Sequence, residues 1–397
     1  MELVAEKYKQ TDIGMIPSDW EVRNLLDNFT LKARIGWQGL TTSEYLDSGD
    51  YSLVTGTDFK HGYIDWDNCV YVEKIRYVQD KNIQLKVQDV LVTKDGTIGK
   101  VAFIDRLPNP TTLNSGVFVL RPKRENIDNK FFYYLLMSFY FDNFLAKITA
   151  GSTINHLYQK DFVTFNFILP TLTEQTLIAT ALSDADALIS SLEKLIAKKR
   201  NIKQGAMQKL LQPKEGWEVK KLGEVAFVNM GQSPLSQFYN SEEIGLPLVQ
   251  GNADVENRKT IIRFYTSMIT KKGKVGDIIM SVRAPVGEIS KATFDCCLGR
   301  GVCSISFDNE YLYHYLIYFE KSWAKLSTGS TFDSVNSKQV IELEIPIPKS
   351  KEEQARIATI FSDMDKEITA LETKLEKYKK VKLGMMQNLL TGKIRLI

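Results

Sequence analysis

Two stretches of the chain carry apolar or long-stemmed residues at alternating steps of four and three. The first sets Ile178, Leu182, Ala185, Ile189, Leu192 and Ile196 in register and continues through Lys199, Lys203, Ala206 and Leu210. The second repeats the pattern with Ile357, Phe361, Met364, Ile368, Leu371, Leu375, Tyr378, Lys382, Met385 and Leu389. Such steps put every one of these residues on one side of an α-helix and leave charges on the other sides, as in the seam of a coiled coil. A displacement of 179 positions lays residues 354–393 over 175–214 without a gap, and 18 of the 40 pairs are identical, so the chain contains an internal repeat. At about 1.5 Å per residue each helix would be roughly 60 Å long. A rod with one apolar seam needs a partner, and its twin supplies one.

The rest of the chain alternates differently. Short β-rich runs broken by Gly, Asp and Asn fill two other regions: YSLVTG, VQDVLVTKDG and GVFVLRP in the first, LPLVQGN, VGDIIMSVRA and GVCSISF in the second. These regions correspond. Residues 85–102 lie over GKVGDIIMSVRAPVGEIS, with Asp89 over Asp277 and Gly99 over Gly287, and Asn-Ser-Gly-Val at 114–117 lies over Gly-Arg-Gly-Val at 299–302. Each region then has an aromatic helix (129–145 and 309–326), a Gly-Ser-Thr turn (Gly151 and Gly329), a last strand (FNFILP or LEIPIP) and the long helix. Aromatic rings at helical spacing point to core rather than to a stacking platform for bases. Pro170 with TLTEQ and Pro348 with KSKEEQ give stop and start signals for strand and helix.

The expected fold is therefore α+β. Two β-rich domains with associated helices (residues 1–170 and 213–348) are joined by two long antiparallel coiled-coil helices (171–212 and 349–397) in a pseudo-two-fold arrangement. Two closely similar docking surfaces suit two copies of one partner, while two diverged domains suit two different ligands. Readers related by a two-fold axis suit duplex DNA.

Composition narrows the function. The 397 residues are 44% hydrophobic, enough for ordinary cores. No apolar run approaches a membrane span and the N-terminal residues lack an apolar signal region, so the expected location is the cytoplasm, with no membrane contact. Four cysteines fit reduced, buried thiols, and neither they nor the three scattered histidines form a metal pattern. A net charge of +3 does not by itself announce nucleic acid, so local clustering must. The sequence lacks a phosphate-binding Gly-x4-Gly-Lys-Ser/Thr loop, an Asn/Asp-Pro-Pro-aromatic stretch, a zincin helix and a Gly-x-Ser-x-Gly elbow. A self-contained DNA methyltransferase or nuclease is thus unsupported, and a bare coiled-coil scaffold would leave the matched domains unused.

Taken together, the lead-ins IGMIPSDW and PKEGWEVKKLGEV, the pair DVLVTKDGTIGKVA and DIIMSVRAPVGEIS, both GST turns, and the pair LPTLTEQTLIATALSDADALI and IPKSKEEQARIATIFSDMDKEI resemble the DNA-specificity subunit of a type I restriction-modification system. The resemblance spans essentially the whole chain. It implies two target-recognition domains, each reading one half of a split DNA site, and helices that set the unread gap. It further implies two methyltransferase subunits docked on the helices and up to two motor-nuclease restriction subunits. S-adenosylmethionine, ATP and Mg2+ would then belong to those partners and not to this chain, which would itself be non-catalytic.

DNA contacts are expected from cationic and polar side chains in loops. In the first domain these are Lys32, Arg34, Lys60, Lys94, Thr97, Lys100, Ser152, Thr153, Asn155 and Lys160. The second offers Ser233, Gln250, Asn252, Arg258, Lys259, Arg283, Arg300, Ser330, Thr331, Asn336 and Lys338. Arg283 and Arg300 are the preferred base readers, since an Arg fork matches guanine O6 and N7. Partner docking is expected at the matched Gln175, Ser183, Asp184 and Asp186 and at Gln354, Ser362, Asp363 and Asp365.

Overall fold

The computed structural model describes residues 7–150, 156–325 and 334–397, in two compact units. The first comprises residues 1–191 and 375–397, the second 192–374. Each unit takes part of both long helices, which run Leu172–Leu210 and Lys351–Leu389.

Both helices begin where the sequence signals place them. Thr171 and Ser350 cap them, their hydroxyls accepting from the Glu174 and Glu353 amides at 3.4 and 3.2 Å. The predicted seam is buried or half-buried along its whole length in both helices. In the first unit Asp186 of one helix pairs with Lys382 of the other at 2.6 Å, and Glu174 bonds Arg395, just past the other's end. In the second unit Lys199 pairs with Glu367 at 2.6 Å, and Lys203 with Asp365. In both units the partner's number falls as the first rises, so the helices are antiparallel within each. Asp186 and Asp365 are repeat equivalents, as are Lys382 and Lys203, so one ion pair is built twice.

Each β-rich part is organised on a sheet of the same order. In the first unit four antiparallel strands run Val101–Phe103, Val90–Thr93, Val117–Pro122, Phe29–Lys32. The second unit repeats them as Ile289–Lys291, Ile278–Ser281, Val302–Ser306, Phe227–Met230 and extends the sheet with Lys259–Thr260 and Val255–Glu256. A second sheet in each unit contains one parallel pair: Thr111–Leu113 with Ser52–Val54, and Cys296–Leu298 with Leu246–Val249. Lead-in strand and last strand pair antiparallel, Glu21–Asn24 with Asn166–Leu169 and Trp217–Lys221 with Glu344–Pro348, closing each β-rich part at the foot of its helix.

The aromatic helices are core. Phe131, Phe132, Tyr133, Tyr134, Leu135 and Leu136 are all buried, packed with Ile178, Ala179 and Leu182 of one long helix and Leu389 and Leu390 of the other. The second unit buries Tyr311, Leu312, Tyr315 and Leu316 against the equivalent Ile357, Ala358, Phe361 and Leu211, together with Met207. The single helix expected over 129–145 is two, Asn129–Leu136 and Phe139–Thr149. Ser138 breaks it: its hydroxyl donates to the Leu135 carbonyl at 2.6 Å and caps the second helix at the Tyr140 amide. All four cysteines are buried free thiols. No helix among the described residues is long and apolar enough to cross a membrane.

Candidate nucleic-acid interface

In each unit four chain segments converge at one end of the sheets, and the same hydrogen bonds hold them. After Val90–Thr93 the chain turns through 94–100. The Thr93 hydroxyl donates to the Thr97 carbonyl at 2.6 Å and accepts from the Lys100 amide at 2.9 Å, while the Gly99 amide donates to the Thr93 carbonyl at 2.9 Å. After Ile278–Ser281 the arrangement recurs: Ser281 donates to the Pro285 carbonyl at 2.6 Å and accepts from Glu288 at 2.9 Å, and Gly287 donates to Ser281 at 2.9 Å. Gly99 and Gly287 both have positive φ. A Cβ on Gly99 would lie 2.2 Å from Leu145, and one on Gly287 2.0 Å from Trp323. Only glycine permits both the turn and the close packing beneath it.

Two more segments lie alongside each turn. Lys94 bonds Gly116 and Leu157 through its backbone at 2.8 Å each; Val282 bonds Gly301 and Val335 at 2.9 Å each. A fourth follows the parallel strand: the Thr55 and Gln250 amides each donate to a carboxylate of the turn, Asp58 and Asp254, at 2.7 Å. Each cluster thus contains the Lys94 or Val282 turn, the 114–116 or 299–301 loop, the segment leaving the GST turn, and the 55–57 or 250–252 turn. Backbone hydrogen bonds fix the frame, which leaves side chains at its tips free to differ.

Several expected DNA-contacting residues sit in these clusters. Thr97, Lys100 and Lys160 are exposed in the first, with Lys160 over the Tyr158 ring, while Lys94 is half-buried with its ammonium over Phe118. In the second, Arg283, Arg300 and Lys338 are exposed. The Ser233 hydroxyl holds the Arg300 amide at 3.0 Å, and the Asn252 amide group bonds Glu288. Gln250 accepts from the Tyr239 hydroxyl at 3.4 Å. Arg283 and Arg300 have no side-chain partner among the described residues. Lys32 and Lys259 are exposed on strands instead. Ser152, Thr153, Asn155, Ser330 and Thr331 lie outside the described residues.

Other expected contacts are engaged within the fold. Arg34 is 1% exposed, and its guanidinium donates to the Leu113 carbonyl at 2.8 Å, the Thr112 hydroxyl at 3.1 Å, Gln79 and the Arg76 carbonyl. Burial pulls its pKa below the ordinary arginine value. It is a strut, corrected from the DNA set because its loop folds inward. Arg258 forks onto Glu320 and donates to the Ile289 carbonyl at 2.9 Å, its charged form held by the Glu320 hydrogen bonds, with 41% of its side chain still exposed. Lys60 pairs with Asp65 at 2.9 Å, and the Asn336 side chain caps Ser337–Ile341.

The matched helix residues divide likewise. Gln175 and Gln354 are buried and pin helix to domain. Gln175 accepts from the Asp128 amide at 2.9 Å and donates to the Pro170 carbonyl at 2.9 Å; Gln354 accepts from Asn309 at 2.9 Å and donates to the Pro348 carbonyl at 2.8 Å. Asp186 takes the Tyr134 hydroxyl at 2.8 Å as well as Lys382, and Asp365 takes Lys203. Ser362 bonds the buried His314 at 3.1 Å. The buried Gln175 and Gln354 are thereby corrected from docking contacts to internal fastenings, while Asp186, Asp365 and Ser362 also bond within the chain. Ser183 is half-buried; Asp184 and Asp363 remain exposed, the latter beside Lys366 at 3.1 Å.

The choice of cationic and neutral polar side chains passed over Asp95 and His156, which bond each other in the first cluster. The correspondence of Asp95 with Arg283 is the sequence signal that marks the position.

The type I restriction modification DNA specificity domain model matches residues 17–204 and 214–381. A Methanocaldococcus jannaschii protein assigned as the MjaX type I restriction enzyme specificity subunit is 32% identical over 418 aligned positions, covering 98% of this chain and 97% of the relative. The MjaVIII specificity subunit of the same organism is 25% identical over 433 positions, covering 98% and 96%. The solved type I restriction-modification S subunit from M. genitalium shares the fold with a TM-score of 0.63 at 18% identity, covering 97% of this chain and 98% of that one. Two matched domains and a full-length relative place this chain in the type I restriction-modification DNA specificity family.

Proposed function

We propose that the chain is the non-catalytic DNA-recognition subunit of a type I restriction-modification complex. Each loop cluster binds one half of a split duplex site, and the long helices set the unread gap between the halves. The observation that carries this reading is the duplicated loop frame: the same backbone hydrogen bonds recur in both units, while the side chains they present differ. Binding one ligand twice would not need different tips.

Two methyltransferase subunits would dock through surfaces repeated on the two helices, with Asp184 and Asp363 the exposed matched carboxylates left for that role. Restriction subunits would join them. S-adenosylmethionine, ATP and Mg2+ would act on those partners. The decisive experiment exchanges residues 20–170 for those of a relative of different specificity and sequences methylated adenines in the host. One half of the modified motif should change and the other persist; a motif altered in both halves or in neither refutes the assignment.

A further inference from the structure

The two loop clusters put opposite chemistry at one place. Position 95 follows the Thr93 turn as position 283 follows the Ser281 turn, and each makes an isolated antiparallel bridge to the segment leaving its GST turn, Asp95 to His156 and Arg283 to Ser334. Arg283 is exposed between the buried Val282 and the exposed Ala284, with no side-chain partner among the described residues. The Asp95 side chain is 46% exposed, and one of its oxygens bonds His156 Nδ1. His156 is in turn steadied by the Tyr158 ring, 4.4 Å away between centroids. Beside the other Asp95 oxygen lies Gly116, where a Cβ would come to 3.6 Å, in ordinary contact.

We propose that positions 95 and 283 are equivalent base-reading positions of opposite hydrogen-bonding sense: Arg283 donates to a guanine in one half-site, and Asp95, oriented by His156, accepts from the exocyclic amino group of a cytosine or adenine in the other. This rests on the reading of the two clusters as half-site readers. A carboxylate facing phosphates weakens binding by repulsion, whereas one facing a base edge accepts a specific hydrogen bond from cytosine N4. Lys94, Lys100 and Lys160 supply the cationic surroundings that offset its charge. Arginine gives the converse, two donors in a fixed fork. His156 is a positioning residue, since it acts through the carboxylate it holds.

The test uses the full-length chain co-expressed with its modification subunits, and reads the methylated motif across a genome and the relative methylation rates of oligonucleotides substituted at each base. Arg283→Gln should lose roughly 5- to 150-fold of the preference for one guanine in one half-site, and Arg283→Lys should lose part of it, because an ammonium lacks the planar fork. The lysine variant keeps the charge, so its loss separates base reading from phosphate contact. Asp95→Ala should relax one cytosine or adenine position in the other half-site alone, and His156→Gln should relax that same position less. Full stringency in the Arg283 and Asp95 variants, relaxation in the same half-site, or a uniform loss at all sequences overturns the proposal. A wild-type motif that is uninterrupted would instead remove the half-site reading on which it rests. Unchanged thermal melting of each variant excludes unfolding as the cause.

Discussion

Protonation of His314 should destabilise the second unit, and the structure sets its size. The ring is almost fully buried on Tyr311–Phe319, with Nε2 bonded to Ser362, Nδ1 unbonded and 4.0 Å from Asp365, and the Phe361 ring beside it. The other charged groups that act on it are Lys203 and Lys291. Burial first, then these two lysines, push its pKa from 6.5 down to about 3. The unfolded chain therefore binds this proton more readily than the folded one, and acid favours unfolding. The His314 contribution is complete above pH 6.5, declines as pH falls, and stops declining below about 3. At about 1.4 kcal/mol per unit, the loss between pH 7 and pH 5 comes to about 2 kcal/mol. Urea unfolding of wild type and His314→Gln at both pH values reads it, because carboxylates titrating in both proteins cancel in the difference. Wild type should lose about 2 kcal/mol more than the variant over that interval. Equal pH slopes would show that the site accepts the proton without penalty and would refute the argument from burial.

The paired helices and their fastenings give further tests. Gln175→Leu strands the Asp128 amide and the Pro170 carbonyl and should cost about 2–4 kcal/mol in denaturant unfolding, as should Gln354→Leu at the equivalent place. Asp186→Asn and Lys382→Met, at a pair whose side chains are 20% and 16% exposed, should show a coupling of about 1–2 kcal/mol in a double-mutant cycle, and additive effects would deny the pair a role in fixing register. Asp184→Lys with Asp363→Lys should leave the melting temperature within a degree or two and weaken co-purification of methyltransferase subunits; undiminished assembly would make them ordinary solvated charges.

The long helices were legible because their residues answer to period. The four-and-three spacing of Ile178, Leu182, Leu192 and Ile196 survives in the structure as buried seam, and Thr171 and Ser350 cap where Pro170 and Pro348 signal an ending. The strand core of each domain was legible for the same reason. Residues whose roles depend on what the loop packs against were not. Lys32 and Arg34 look alike in sequence, yet one is exposed and the other is 1% exposed against the Leu113 carbonyl, because the second sheet, built from strands distant in the chain, closes over it. Asp186 and Lys203 each match a residue of the other helix, but matching alone does not distinguish a surface kept for a partner from an ion pair built twice. Only the antiparallel register, which sets Asp186 against Lys382 and Lys203 against Asp365, decides between them.

That register bears on how new specificities arise. The fastenings identical in the two halves, Gln175 with Gln354 and Asp186 with Asp365, act between helix and domain or between helix and helix, and none reaches the loop clusters. The clusters are held by main-chain groups, by the Thr93 or Ser281 hydroxyl, which either residue type supplies, and by the Asp58 or Asp254 carboxylate. A substitution at position 95, 115, 283 or 300 therefore removes no bond that holds the frame, and its cost in stability should stay within about 0.5 kcal/mol, the range of ordinary surface changes. Residues that could alter recognition and residues that hold the domains to their helices are physically separate sets, joined only through a rigid sheet. A single side chain at a loop tip is thus free to change the base it meets while the ion pairs and glutamine anchors at the foot of the domain keep their geometry.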